Sequence, residues 1–289
     1  MTRRFLAPAK VNMALRIVGR RADGFHLLWT VMTFFPLYDI LEITCPADGL
    51  QLTCEPPVTP EPEKNLVWQA AQRLQAESGT RQGAHLHLTK HIPHGAGLGG
   101  GSSDAATTLL ALNRLWGLHW PVSRLLPIGA QLGADIPIFL GGEAALAEGI
   151  GERLTPLPHL AEAELVVVNP GIILPTGQVF AQWHAQASSP TALADCLLPT
   201  SATESVLPLL GNDLEATATR MAPVIGLIVH ALQQQGAQAT VMSGSGSSVV
   251  GVFAERRDAE AAAFALRHTH RTWQIYPGRT FNKHPFANE

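Results

Sequence analysis

The chain opens on an alternation. From Val11 to Val18, Val11, Met13, Leu15 and Ile17 are interleaved with Asn12, Ala14, Arg16 and Val18, the period-two pattern of a half-buried strand that sets Lys10 and Asn12 together on its non-core face. The turn signal "RRADG" follows. Then "FHLLWTVMTFF", "DILEITC" and "LQLTC" predict three more strands, so the opening third is antiparallel and β-rich. Next the period changes: between Asn65 and Glu77, Leu66, Val67, Ala70, Ala71 and Leu74 recur at helical spacing, with Asn65 as the N-cap. "AHLHLTK" alternates as a strand, a glycine-rich loop follows it, and Ala105 to Trp116 predicts a helix with Ser102 and Ser103 at its N-cap.

Further along, the pattern predicts a helix over Ser123 to Leu132, the stretch "GADIPIFL", short strands at "AALAE" and "ELVVVNP", and a helix after Pro175 and Thr176. A single helix is expected from Asp213 to Gln235. "AQATVMSGSGSSVVGVF" reads as two strands joined by a Ser/Gly turn, "RDAEAAAFALRH" as a helix and "TWQIY" as a closing strand. The Pro-rich "CEPPVTPEPEKN" reads as an exposed loop, and no internal repeat is found. At 289 residues, against about 150 per domain, the chain is expected to hold two domains or one large one.

Composition narrows the class. Hydrophobic residues make up 46% and charged residues 15%, ample for a sizeable core and unlike a disordered chain. The formal net charge is −3 and the arginines are scattered, which argues against a nucleic-acid or anionic-membrane surface. Lysine is scarce, at Lys10, Lys64, Lys90 and Lys283 only. Cys45, Cys54 and Cys196 form no C-x-x-C pair and are odd in number, which fits a reducing compartment. "MTRRFLAPAKVN" lacks a signal-peptide apolar core, and no apolar run reaches about 18 residues, so a soluble, cytoplasmic protein is expected.

The candidate chemistry centres on "PHGAGLGGGSSDAATTLL", Pro93 to Leu110. Glycines let backbone N–H groups converge, and the start of the following helix adds partial positive charge, so the loop is an anion site suited to phosphate. The hydroxyls of Ser102 and Ser103 suit a helix cap, a phosphate contact or a Mg²⁺ ligand. Asp104 would repel phosphate if it pointed inward, so it is expected to face away or to orient a metal. A Walker A loop is excluded, because no lysine follows any glycine. Gly95, Gly97 and Gly100 match G-x-G-x-x-G, but no acid lies between Asp104 and Asp135, where a dinucleotide site needs one. His85, His87, His91 and His94 lie close together without a cysteine or carboxylate partner, which makes a zinc site a weak reading.

Three separated motifs resemble one superfamily, the GHMP kinases: "APAKVNMAL" at Ala7 to Leu15, "PHGAGLGGGSSDAAT" at Pro93 to Thr107, and "MSGSGSSVVG" at Met242 to Gly251. "RADGFHLL", the triple glycine before two serines, and "LGADIPIF" around Asp135 resemble the branch whose acceptor carries a cytidine diphosphate. The resemblance implies a two-domain α/β (α+β) fold. Residues 1–149 would form an ATP-binding domain like ribosomal protein S5 domain 2, and residues 150–289 a ferredoxin-like domain on the substrate side. It implies a small-molecule kinase that uses ATP and Mg²⁺, with the magnesium ligands and the oligomeric state left open.

By the same resemblance, Asp135 is the base and Lys10 its partner. That suits phosphoryl transfer, in which a carboxylate takes the hydroxyl proton and a cation offsets developing charge. "ADIP" also sets Asp135 where a helix cap belongs, so the local pattern leaves both jobs open. ATP contacts are implied at Pro93, His94, Gly95, Ala96, Gly97, Leu98, Gly99, Gly100, Gly101, Ser102 and Ser103, and at Asn65 near the adenine. For the cytidine end the resemblance implies Asn12, Phe25, His26, Thr176 and Phe180, with Gly244 and Gly246 letting the third loop approach the substrate closely. Phe25 stands where that branch commonly has tyrosine, which keeps the ring and removes a hydroxyl.

Overall fold

The computed structural model describes residues 2–45, 48–185, 191 and 205–286. It begins with two antiparallel strands, β1 (Thr2–Arg20) and β2 (His26–Thr44). The strands expected separately at "FHLLWTVMTFF" and "DILEITC" are one continuous strand. Pro36, which reads as a break, sits at a register shift: Pro8 faces Tyr38 and Ala9 faces Phe35, so Pro36 and Leu37 have no partner across the ladder. A bulge is where a sheet tolerates a residue without an N–H.

β3 (Leu50–Glu55) and β4 (Ala84–Thr89) extend this sheet beyond β2. Between them runs α1 (Leu66–Ser78), capped as expected by the Asn65 side chain, which accepts the Val67 N–H at 2.9 Å. Three helices follow: α2 (Gly100–Leu115), α3 (Val122–Leu132) and α4 (Ile136–Gly141). The hairpin β5 (Ala145–Gly149) and β6 (Arg153–Pro156) then pairs back onto β2.

The second sheet takes β7 (Glu164–Asn169), β9 (Ala239–Met242), β10 (Val249–Phe253) and β11 (Gln274–Arg279) in the antiparallel order β11-β7-β10-β9. Its helices are α5 (Thr176–Ala185), α6 (Glu215–Met221), α7 (Val224–Gln234) and α8 (Arg256–Thr269). Strands and helices alternate as β-α-β-β-α-β, the ferredoxin-like arrangement. The single helix expected over Asp213 to Gln235 is two, because Pro223 lacks an N–H and starts a new helix better than it continues one.

The expected division after residue 149 does not coincide with a division between sheets. β6 stays with its hairpin partner, and a short strand β8 (Gly211–Asn212) returns to pair with β1. The closing segment also returns, with Phe281 bridging to Phe34 and Lys283 to Glu143.

Both faces of the first sheet are covered. Met32, Phe34, Leu41 and Ile43 pack on α1 and α2, while Val11, Met13, Val31 and Phe35 pack against Leu165, Val167 and Val250 of the second sheet. The alternation in β1 is therefore real, but its polar members are not on a solvent face: Lys10 and Asn12 are each only 3% exposed. Cys45 and Cys54 are free thiols, and Cys196 lies outside the described residues. Among the described residues no helix is long and apolar enough to cross a membrane.

Candidate active site

A cavity of about 900 Å³ lies where the glycine loop, the middle of β1, the residues before α4 and the start of α5 converge. It is lined by Lys10 and Asn12, by Pro93, His94, Gly95, Ala96, Gly97, Gly99, Gly100, Gly101 and Ser102, by Asp135, and by Phe25, His26, Thr176, Phe180 and Gly244. Leu98, Ser103, Asn65 and Gly246 do not line it. Leu98 and Ser103 are buried in the core, and Asn65 is occupied in capping α1.

The helix after the loop starts earlier than its apolar pattern indicates. Gly99, in the left-handed region at φ 70°, is the N-cap of α2, and Ser102 and Ser103 lie inside its first turn. Small residues continue the helix without adding to its apolar stripe, which is why periodicity misses them. The first N–H groups of any helix have no partner within it. Here they belong to Gly100, Gly101 and Ser102, all on the cavity wall.

The glycines of the second and third motifs also serve packing. A Cβ on Gly97 would lie 2.1 Å from the Ser243 carbonyl oxygen, and one on Gly244 would lie 3.2 Å from the Gly97 Cα. One on Gly246 would meet the Met242 sulfur at 2.8 Å. The bare backbone of the third loop therefore lets it pack on the phosphate loop and on its own strand.

Hydrogen bonds join the three motifs. The Lys10 N–H donates to the Leu98 carbonyl at 2.9 Å, the Asn12 N–H to Ser243 Oγ at 3.1 Å, and Ser243 Oγ to the Gly97 carbonyl at 2.9 Å. Lys10 Nζ donates to Asn12 Oδ1 at 2.5 Å and lies 3.3 Å from Asp135 Oδ2. Asn12 is oriented in turn, because its Nδ2 donates to Thr30 Oγ1 at 2.8 Å and Thr30 Oγ1 donates to the Ala14 carbonyl at 2.6 Å. Asp135 precedes α4 but makes no cap hydrogen bond with its side chain. Of the two jobs that the local pattern left open, capping is not one this carboxylate performs, and its side chain is 40% exposed to the cavity.

At the other end, the His26 ring stacks on Phe180 at 5.1 Å and 27° and meets Trp183 edge-on at 5.6 Å. Phe180 thus gives one face to His26. Phe25 is 59% exposed at the rim, and Thr176 Oγ1 shares a hydrogen bond of 2.8 Å with Ser245 Oγ. Ser243, Ser245 and Thr30 were not expected. The two serines stand inside the third motif, where the glycines drew attention instead, and Thr30 is one polar residue in a long strand.

Asp104 neither faces solvent nor reaches the cavity. It is buried beneath the loop against Lys90, and burial, reinforced by nearby Asp39, pushes its carboxyl up despite the pull of that ammonium. Among the described residues, no group of three His, Cys, Asp or Glu side chains has metal-binding geometry. Ser102 offers the cavity an oxygen of the kind Mg²⁺ takes, and the open helix start suits the phosphates such an ion accompanies.

Comparison with known proteins defines the class. Residues 65–143 match the family "GHMP kinases N terminal domain" and residues 199–271 match "GHMP kinases C terminal". The chain is similar to a homoserine kinase structure from Cytophaga hutchinsonii at a TM-score of 0.73 and 19% identity, covering 98% of this chain and 96% of that one, which shows the shared fold. The chain belongs to the GHMP kinases, and is a small-molecule kinase. Within that class it belongs to the 4-diphosphocytidyl-2-C-methyl-D-erythritol kinase family. It is 40% identical over 271 residues to the Rhodospirillum rubrum enzyme of that name, covering 92% of this chain and 89% of the relative. It is 44% identical over 253 residues to the one from Variovorax paradoxus, covering 84% of each. The crystal structure of a 4-(cytidine 5'-diphospho)-2C-methyl-D-erythritol kinase superposes with a TM-score of 0.82 at 35% identity, covering 96% of this chain and 99% of that one.

Proposed function

We propose that this kinase transfers the γ-phosphoryl group of ATP to the 2-hydroxyl of 4-diphosphocytidyl-2-C-methyl-D-erythritol, a step of the non-mevalonate isoprenoid precursor pathway. The observation that carries the reading is the Lys10–Asp135 pair, 3.3 Å apart in a cavity with the glycine loop on one side and the His26–Phe180 stack on the other.

In this reading the N–H groups at the start of α2 hold the ATP phosphates, and Mg²⁺ bound with them neutralises phosphate charge, with the Ser102 hydroxyl as a candidate oxygen donor. The acceptor hydroxyl lies beside Asp135, whose carboxylate takes its proton as the oxygen attacks the γ-phosphorus. The new O–P bond forms as the bond to the ADP oxygen breaks. Lys10, held by Asn12, keeps Asp135 in place and offsets charge on the transferring group. The cytidine base rests at the aromatic end, with His26 towards its edge and Phe25 offering its exposed ring face. The substrate is a small molecule, and a cytoplasmic location completes the proposal. The division near residue 150 is kept as the boundary between the ATP-binding domain and the C-terminal domain, with Phe25 and His26 before it and Thr176 and Phe180 after it meeting at the cytidine end.

The test is to incubate the protein with ATP, Mg²⁺ and the cytidine substrate and to follow products by phosphorus NMR. ADP and a new phosphomonoester on the erythritol moiety are expected in equal amounts. ATP turnover on homoserine or mevalonate, and none on the cytidine compound, would overturn the substrate.

A further inference from the structure

Three ionisable side chains lie buried beneath the glycine loop, apart from the Lys10–Asp135 pair. Lys90, just past β4, donates from Nζ to Asp39 Oδ2 on β2 and, at 2.6 Å, to Asp104 Oδ2 on α2. The three side chains are 5%, 0% and 3% exposed. The other oxygen of Asp39 accepts the backbone N–H groups of His91 at 2.5 Å and Ile92 at 2.8 Å, the residues that lead into Pro93. At the far end Asp104 sits in α2, just after the serines that close the loop.

The group therefore grips the glycine loop at both ends, its start through the backbone of His91 and Ile92 and its finish through α2. Stability alone is a poor explanation, because a buried ion group can often be replaced by apolar residues of the same volume without loss. Lys90 lines the cavity, but its ammonium is engaged by both carboxylates and so acts through them.

We propose that Asp39, Lys90 and Asp104 form a positioning device that holds the glycine loop in its ATP-binding shape, with Asp39 as the pivot. The proposal rests on the loop being the seat of the ATP phosphates. The two carboxylates are not equivalent. Asp39 uses both oxygens as acceptors, so an asparagine there must either face Lys90 with its NH₂ or turn it on the two backbone N–H groups. Asp104 uses one oxygen and leaves Oδ1 without a partner, so an asparagine fits with its oxygen towards Lys90.

The experiment compares the wild type, Asp39→Asn and Asp104→Asn as full-length proteins. Calorimetry measures binding of a non-hydrolysable ATP analogue, and steady-state kinetics gives KM for each substrate. Asp39→Asn is expected to raise the analogue Kd and the KM for ATP about tenfold, while kcat at saturating ATP and the acceptor KM stay within about threefold. Asp104→Asn should stay within about threefold in every parameter. Equal losses in both variants, or wild-type affinity in Asp39→Asn, would overturn the device while leaving the loop assignment standing. A wild type that does not bind the analogue would bring down the loop assignment and the device with it. If Asp39→Asn fails to fold, the double variant Lys90→Met with Asp104→Leu cuts the tie to α2 while Asp39 keeps its bonds to the His91 and Ile92 N–H groups. It should raise the KM for ATP about fivefold, and an unchanged KM counts against the proposal.

Discussion

Lys10 Nζ and Asp135 Oδ2 are 3.3 Å apart, one side chain 4% exposed and the other 40%. The cation is fixed from behind by Asn12, while the carboxylate stands open to the cavity with no cap to make. A buried, oriented lysine holding an accessible carboxylate is what a proton acceptor for a bound hydroxyl requires.

Asp135→Asn keeps the shape of the site and removes the proton acceptor. Turnover should fall about 10²- to 10⁴-fold while the ATP analogue binds as before. Calorimetry beside a product assay checks this, and loss of binding together with turnover would show that the residue is structural.

Gly97→Ala should be far more damaging than Gly171→Ala. Both glycines have positive φ, 78° and 76°, so each alanine meets about 1–2 kcal/mol of backbone strain. Only at Gly97 would the new Cβ also meet a carbonyl oxygen at 2.1 Å, whereas nothing lies within 4 Å of Gly171. Thermal melts should separate the two variants, and only Gly97→Ala should lose ATP binding.

How much of this was legible follows the range of each interaction. The Asn65 cap was legible because donor and acceptor are two residues apart. The alternation in β1 predicted that Lys10 and Asn12 share a face, which their side-chain hydrogen bond bears out. It did not show that the face is buried, since burial depends on the glycine loop and the β9–β10 turn packing there from far along the chain. Lys90 bonds partners 51 and 14 residues away, and Ser243 bonds Asn12 across 231, distances at which local pattern carries no signal. Pro36 misled because a proline reads the same in a bulge and in a turn.

Phe180→Ala removes the ring on which His26 stacks. With aromatic pairs contributing about 0.5–1.5 kcal/mol, the KM for the cytidine substrate should rise roughly two- to tenfold. The KM for ATP should not move. Initial-rate kinetics in both substrates tests this, and a shift confined to ATP would reverse the assignment of the two ends.

His284 predicts a pH dependence. It is 2% exposed, edge-on to Phe34 and within reach of Phe286, and burial pulls its imidazole down to about 4 from 6.5. The unfolded chain takes up a proton below 6.5 that the folded chain refuses until about 4. The resulting stability is complete above 6.5 and is lost as pH falls through 4, by at most roughly 3 kcal/mol. Urea unfolding at neutral and acid pH should show His284→Leu losing less on acidification than the wild type. An equal loss in both would assign the effect to other groups.

The contact between Gly97 and the Ser243–Gly244 backbone ties the loop after β4 to the turn between β9 and β10, so the two loops form one continuous wall of the cavity. The two sheets cannot part along that seam without breaking the hydrogen bond from Ser243 to Gly97. A shift of the turn between β9 and β10 is thereby a shift of the glycine loop.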